Sequence, residues 1–302
     1  MKDIMSKENI LVTGGQGQLG KCLRDLTSQY DSLYNFYFTD IEELDITSKP
    51  AIYDYCVEHQ VQYIINCAGY TAVDLAETEV ESAYRLNRDA VQFLAEVSLQ
   101  LGVFLVHIST DFVFDEEGRT TPFVEDDQPS PLSIYGKSKL GGEEMLRTSG
   151  THCVIIRTAW LYSEYGHNFV KTMLRLGSER SQIQVIADQF GTPTYAGDLA
   201  EVIMQILAHR SSLSGVTLFH YSHSGSCSWY QFAEAVMRFA ELPCDVVPIP
   251  ATSYPAPAKR PHYSVLSKEK IAKFLSISIP HWEERLQKIL KDKIIKVSKS
   301  DI

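Results

Sequence analysis

The chain has 302 residues, 44% of them hydrophobic and 22% charged, which suits one large or two modest domains around a substantial core. Its net charge of −10 argues against a nucleic-acid partner, so an anionic ligand needs a local cluster of basic groups. The six cysteines have no metal or redox spacing and read as reduced core thiols, no apolar run nears the ~18 residues of a membrane helix, and "MKDIMSKEN" lacks an apolar signal core, which makes a cytoplasmic location without a membrane partner the default.

In chain order, "NILVT" (9–13), "LYNFYFT" (33–39), "VQYIIN" (61–66), "VFLVHIS" (103–109) and "HCVIIRT" (152–158) read as strands. Helical stretches lie between them near 18–29, 48–59, 77–101 and 133–149. This alternation predicts an α/β fold, a Rossmann-like doubly wound parallel sheet. "VTLFHYS" (216–222) is expected at the sheet's edge. The last third carries six of the twelve prolines, between 243 and 261, and reads as a stiff arm instead of a sheet unit. Short helices near 228–240 and 280–293 flank it, and the tail from 291 is expected to fray. The division expected is a dinucleotide-binding domain at 1–160 and 196–223, with a smaller α/β lobe at 161–195 and 224–302.

"ILVTGGQGQLG" places Gly14, Gly15, Gly17 and Gly20 after a strand and at a helix start. There backbone can approach a pyrophosphate and the helix offers free amides, although an ordinary tight turn would read the same way. Asp40 ends the second strand, where an acid bonds a ribose diol and repels a 2′-phosphate, favouring NADH; a plain loop aspartate is the alternative. No Arg or Lys lies in 36–48, though Lys21 and Arg24 are close by on the first helix. Asp45 is placed to sit beside an adenine, and the small Ala68 and Gly69 let backbone pass close to a cofactor or simply pack strand on helix.

"PLSIYGKSKLGGEE" (131–144) puts Tyr135 and Lys139 four apart on one helical face, with Lys137 turned away. A fixed ammonium beside a phenol lowers its pKa and lets it move a proton near neutral pH, but the same spacing also suits a solvated surface helix.

Taken together, "TGGQGQLG", "NCAGYTAVD", "STDFVFD", "SIYGKSK", "RTAWLYSEYGHNFVKTMLRL", "DQFGTPTYAGDLA" and "RPHYSVLSKEK" resemble the extended short-chain dehydrogenase/reductases, on the side of the sugar-nucleotide 4-ketoreductases. The resemblance implies NADPH or NADH as cofactor and a 4-keto sugar nucleotide as substrate, in surface-polysaccharide synthesis. It implies Tyr135 as proton donor, Lys139 as its partner and ribose contact, and Thr110 as the hydroxyl that orients the carbonyl. It carries cofactor contacts onto Gly14, Gly15, Gln16, Gly17, Gln18, Leu19, Asp40, Asp45, Ile46, Cys67, Ala68 and Gly69. Substrate contacts fall on Thr71, Asp111, Phe112, Trp160, Asn168, Lys171, Gln189 and Arg260. Five of these have a plainer alternative: a strand-end cap for Asp111, a core indole for Trp160, a solvated Lys171, a loop end for Gln189 and a surface ion pair for Arg260. Asn87 is expected to support the active-site helix, and Arg157 to meet either a ligand or an internal acid. Dehydratases of the family carry an acid where this chain has Phe112, and phenylalanine cannot abstract a proton. Some relatives bind Mg²⁺ at a subunit contact, and the resemblance allows a homodimer; no acidic set in the sequence demands the metal. The competing readings are an epimerase or reductase of another sugar nucleotide, and a catalytically silent regulatory subunit of the same fold.

Overall fold

The computed structural model describes residues 7–116 and 118–294. The first half runs β1 (Glu8–Thr13), α1 (Gln18–Tyr30), β2 (Tyr34–Thr39), α2 (Lys49–Glu58), β3 (Val61–Asn66), α3 (Val80–Tyr84), α4 (Ala90–Leu101), β4 (Phe104–Thr110), α5 (Ile134–Ser149) and β5 (Cys153–Thr158). There follow β6 (Leu161–Tyr162), α6 (Phe169–Glu179), β7 (Gln182–Ile186), β8 (Phe190–Gly191), β9 (Thr194–Tyr195), α7 (Ala196–Ala208) and β10 (Val216–His220). The chain ends with β11 (Cys227–Ser228), α8 (Trp229–Ala240), β12 (Asp245–Ile249), α9 (Glu269–Leu275) and α10 (Trp282–Ile289).

Six strands form one parallel sheet in the order β2-β1-β3-β4-β5-β10, with the expected edge strand at β10. Both faces are covered, which is why these strands read as unbroken apolar runs. One core layer packs α1 and α7 on the sheet through Leu23, Leu199, Ile203 and Ile156; the other packs α2 and α4 through Ile52, Val91, Leu94 and Ile155. The strand order reverses between β1 and β3, and open α/β sheets bind ligands at that crevice. Caps set the key helix: Ser133 accepts from Gly136 N at the start of α5, and Gly150 closes it in the left-handed conformation.

Several expectations need correction. The helix read at 77–101 is split by a π turn at Arg85–Asp89, where the buried Asn87 bonds out of the helix to the Tyr70 backbone. The proline arm does supply a strand: β12, with Pro248 inside it, pairs parallel with β7. A two-stranded pair leaves one side of each strand free of ladder bonds, so a proline is tolerated there. Residues 269–279 return to the large sheet, where Ile271, Leu275 and Phe274 join its core, although the division by sequence put them in the smaller lobe. That lobe has its own core from Tyr162, Val170, Phe232, Val236, Trp282 and Leu286. Of the tail expected to fray, 291–294 form a π turn with Leu290, and 295–302 lie outside the described residues.

A strap from 262 to 267 ties the halves together. Phe190 N donates to His262 O and Ser264 N to Phe190 O; Phe123 N donates to Val265 O and Ser267 N to Phe123 O. It brings Arg260 and Ser264 to the carboxyl end of the sheet.

Candidate active site

A cleft of about 850 Å³ opens at the carboxyl ends of β1, β3, β4 and β5. Its floor begins at the glycine turn. Gly14 has φ +69°, and a Cβ on it would lie 2.7–2.8 Å from the backbone of Cys67 and Ala68. Only glycine lets the ends of β1 and β3 meet there. Gly17 starts α1 without a side-chain cap, so the first-turn amides face the cleft unclaimed by a side chain. Gln16, Gly17, Gln18 and Leu19 line it, with Cys67, Ala68 and Gly69 opposite. Asp40 sits at the end of β2 and accepts from Gln16 N at 3.2 Å and Ile41 N at 3.0 Å. Asp45 accepts from the Thr47 amide and hydroxyl, which hold its carboxyl below the usual range. Beside it the buried Ile46 closes that end.

Further in, Tyr135 and Lys139 both line the cleft and both are buried. Lys139 Nζ donates to Ile108 O at 2.6 Å. Burial pulls its ammonium down to about 8, opposed by the charge of Glu143 one turn along. Burial pushes the Tyr135 phenol up to about 12, opposed by a hydrogen bond with Thr110. The phenol therefore lies above its ordinary value, not below it as the spacing suggested, because burial outweighs the groups around it. At neutral pH the phenol keeps its proton and the amine its charge.

Thr110 Oγ1 accepts from Phe112 N at 3.2 Å and lies 3.2 Å from Asp111 Oδ1. Asp111 is buried, and Ser264 Oγ of the strap donates to its Oδ2 at 2.5 Å. Burial pushes Asp111 up to about 7 in spite of these bonds. The Phe112 ring stands edge-on to Tyr135, centroids 5.5 Å apart.

At the outer end Trp160 adopts φ +44°, which a bulky side chain rarely does and which clusters at functional sites. Its indole packs so close to Gly191 that a Cβ there would come within 2.5 Å. Trp229, from the start of α8, stacks on it at 3.4 Å and 9°. Thr71, Trp160, Trp229, His167 and Arg260 line this end. Arg260 forms a forked ion pair with Asp74, 2.8 and 3.0 Å, across the cleft mouth. Among the described residues, Asn168, Lys171 and Gln189 are not part of the cleft wall. Asn168 caps α6 and bonds Gln18, Lys171 Nζ donates to Glu164 O, and Gln189 is buried with its Oε1 unpartnered. Arg157 meets an internal acid, Glu143, with both side chains fully buried.

Trp229 and His167 are wall residues that no local sequence pattern marks. The capping pair Ser228 and Gln231 marks a helix start at 229, but nothing local says that Trp229 will meet Trp160. No group of three or more His, Cys, Asp or Glu able to hold a metal occurs among the described residues, and none of the described helices is long and apolar enough to cross a membrane.

The family model described as the RmlD substrate binding domain matches residues 8–295. The chain is 40% identical to a dTDP-4-dehydrorhamnose reductase of Aggregatibacter actinomycetemcomitans, over 93% of this chain and 97% of that one. It is 37% identical to the spore coat polysaccharide biosynthesis protein SpsK of Bacillus subtilis, over 94% and 97%. Its fold is similar to the crystal structure of a Bacillus anthracis dTDP-4-dehydrorhamnose reductase in complex with NADP, with a TM-score of 0.89, 39% identity, and 95% and 100% of the two chains covered.

Proposed function

The chain belongs to the RmlD substrate binding domain family, and from that premise we propose that it is an NADPH- or NADH-dependent dTDP-4-dehydrorhamnose reductase. The reaction reduces the 4-keto group of dTDP-4-dehydro-L-rhamnose to the alcohol of dTDP-L-rhamnose, a precursor of surface polysaccharide. The observation that carries the reading is that Thr110, Tyr135 and Lys139 share one cleft with the glycine turn and the Trp160–Trp229 wall.

The cleft's groups fit a dinucleotide. The first turn of α1, Gln18 and Leu19 would hold the diphosphate, Asp40 the adenosine ribose, Asp45 and Ile46 the adenine, and Lys139 the second ribose. The bound cofactor supplies the hydride. The chain's own part is proton delivery and orientation. Thr110 Oγ1 hydrogen-bonds the ketone oxygen and aligns it with the phenol. Tyr135, fully protonated at neutral pH, gives its proton to that oxygen as it becomes an alkoxide. The Lys139 ammonium supports the phenolate that this leaves behind. The Trp160–Trp229 stack forms a wall against the sugar, and Arg260 exchanges Asp74 for the substrate diphosphate.

Phe112 favours reduction over dehydration, because the cleft has no acid at that position to remove a proton from carbon. The intact Tyr135–Lys139 pair argues against a silent regulatory subunit. An epimerase that retains its NAD is separated by cofactor exchange. On cofactor choice, Asp40 supports NADH, while the Arg24 guanidinium over the Phe38 ring at 4.1 Å puts a cation near the end of β2 for NADPH. Cytoplasmic location and a homodimer belong to the same reading; light scattering at micromolar concentration tests the dimer.

The test is to mix the protein with NADPH or NADH and dTDP-4-dehydro-L-rhamnose and follow the nicotinamide absorbance. No loss with either cofactor refutes the proposal. Tyr135→Phe should lower turnover at least ~10²-fold while leaving cofactor affinity nearly unchanged; an equal rate assigns the acid elsewhere.

A further inference from the structure

We propose that Glu143 is a positioning residue for this reaction: its buried carboxylate, clamped between β4 and β5, keeps Lys139 charged and the strand end beneath it in place. The inference rests on the reductase reading above.

Tyr135, Lys139 and Glu143 follow one another at four-residue intervals on α5, so they form a single stripe. All three are buried, Glu143 completely. Its carboxylate is held on both oxygens. Arg157 Nε donates to Oε1 at 2.8 Å and Arg157 Nη2 to Oε2 at 2.6 Å. Ser109 Oγ donates to Oε1 at 2.6 Å, and Arg147 Nη2 lies 3.6 Å from Oε2. Ser109 stands between the two residues that matter for the chemistry. Ile108 O on one side receives Lys139 Nζ, and Thr110 on the other meets Tyr135. By gripping Ser109, Glu143 fixes the strand segment that presents both.

The charge argument is separate. Two buried cations, Lys139 and Arg157, flank this carboxylate. Arg157 Nη1 lies 3.4 Å from His220 Nε2, and His220 Nδ1 lies 3.2 Å from Phe123 O. Burial, with Arg157, pushes His220 down to about 3, so the ring is neutral: Nδ1–H donates to Phe123 and Nε2 accepts from Arg157. His220 therefore adds no charge of its own. The other groups around the catalytic pair are also neutral near pH 7 or turned to the phenol. From β4, His107 is driven well below its usual range by burial and by Lys139. After β3, burial pushes the Cys67 thiol up to about 12. Asp111 acts on Tyr135. With the carboxylate removed, Lys139 loses the negative charge that favours its ammonium, and Arg157 loses its buried partner.

The variant Glu143→Gln keeps the shape and an acceptor for Ser109 and Arg157 but removes the charge. The alkaline limit of kcat/KM should move down by about one pH unit, the low end of what a neighbouring charge exerts. The KM for NADPH should rise more at the alkaline end of the profile than at the acid end. Glu143→Asp, which restores the charge on a shorter arm, should bring the limit back even if the melting temperature stays low. A loss of rate equal at every pH, with the limit where the wild type has it, overturns the proposal and leaves Glu143 a purely structural anchor. If Glu143→Gln does not fold, Ser109→Ala tests the grip: it removes one bond and no charge, so it should lower kcat at every pH by slackening Ile108 and Thr110 while leaving the alkaline limit in place, and an unchanged kcat overturns the positioning argument. Wild-type turnover is the control. If the wild type reduces no 4-keto sugar nucleotide, the reductase reading has failed, and the NADPH dissociation constant against pH in the same variants still tests the link between Glu143 and Lys139.

Discussion

Replacing Asp111 by Asn should stabilise the ligand-free protein at alkaline pH and not at acid pH. Asp111 is 2% exposed and sits at the end of β4, bonded to Ser264 of the strap and beside Thr110. Burial raises its carboxyl from the ordinary 3.8 to about 7. The folded value lies above the unfolded one, so between these limits the folded chain keeps a proton that the unfolded chain has lost. The group's contribution to stability is fully present below about 4 and is lost as pH rises through about 7. Each pH unit in that window is worth ~1.4 kcal/mol.

From about pH 5 to about pH 8, roughly two units of that window are crossed, so the wild type should lose about 3 kcal/mol through this one group. The Asn variant still accepts from Ser264 and supplies an N–H donor in place of the acid's O–H, but it does not titrate. Every other group titrates alike in both proteins, so the difference between them isolates Asp111. Urea unfolding of both proteins at the two pH values measures it: the gap should open by about 3 kcal/mol in favour of Asn at the higher pH. Two stability curves that run parallel over this range would mean that Asp111 is solvated or charge-paired in solution, and the burial argument would be wrong.

Two further outcomes follow from close contacts. Gly14→Ala forces a Cβ against the Cys67 and Ala68 backbone at a positive φ, and should weaken NADPH binding at least ~10-fold, which is ~1.4 kcal/mol, by titration; an unchanged dissociation constant would mean that the ends of β1 and β3 part at no cost. Arg260→Ala should raise the KM for the sugar nucleotide at least ~10-fold with NADPH affinity unchanged, and Asp74→Asn should lower that KM, because the substrate diphosphate then displaces no carboxylate. A KM that rises in Asp74→Asn would show that Asp74 instead presents Arg260.

The large sheet was readable because a parallel strand covered on both faces is a short apolar run, and five such runs alternate with helical patterns from residue 9 to 158. The glycine turn and the Tyr135–Lys139 pair were readable because their geometry is local, a turn in one case and a single helical stripe in the other. What the sequence could not show is long-range. Arg260 carries a basic group to the cleft, but its tie to Asp74 needs the strap at 262–267 to be laid across Phe123 and Phe190. Trp229 reads as the first residue of an amphipathic helix until α8 meets Trp160. The prolines before 250 read as an arm because a strand with no ladder bond on one side leaves little trace in composition. Asn168 was legible as a substrate contact only through resemblance, and in the fold it closes the first turn of α6 against Gln18.

The phenol–amine pair was the place where local reading came closest to the chemistry and still had the direction of the phenol's net shift wrong. Spacing says that Tyr135 and Lys139 face the same way; it says nothing of how much water either keeps. Both are buried beneath Phe112 and the β4 end, and burial raises an acid's pKa and lowers a base's. The consequence bears on direction. An alcohol oxidation begins with a phenolate that takes a proton, and a phenol near 12 is a poor one at neutral pH. A ketone reduction begins with a phenol that still has its proton, and this site holds almost every Tyr135 in that state. The cost falls on the amine, whose value near 8 leaves a narrow margin above neutrality. The carboxylate of Glu143 one turn along, anchored by Ser109 and Arg157, is among the charges that keep that margin open.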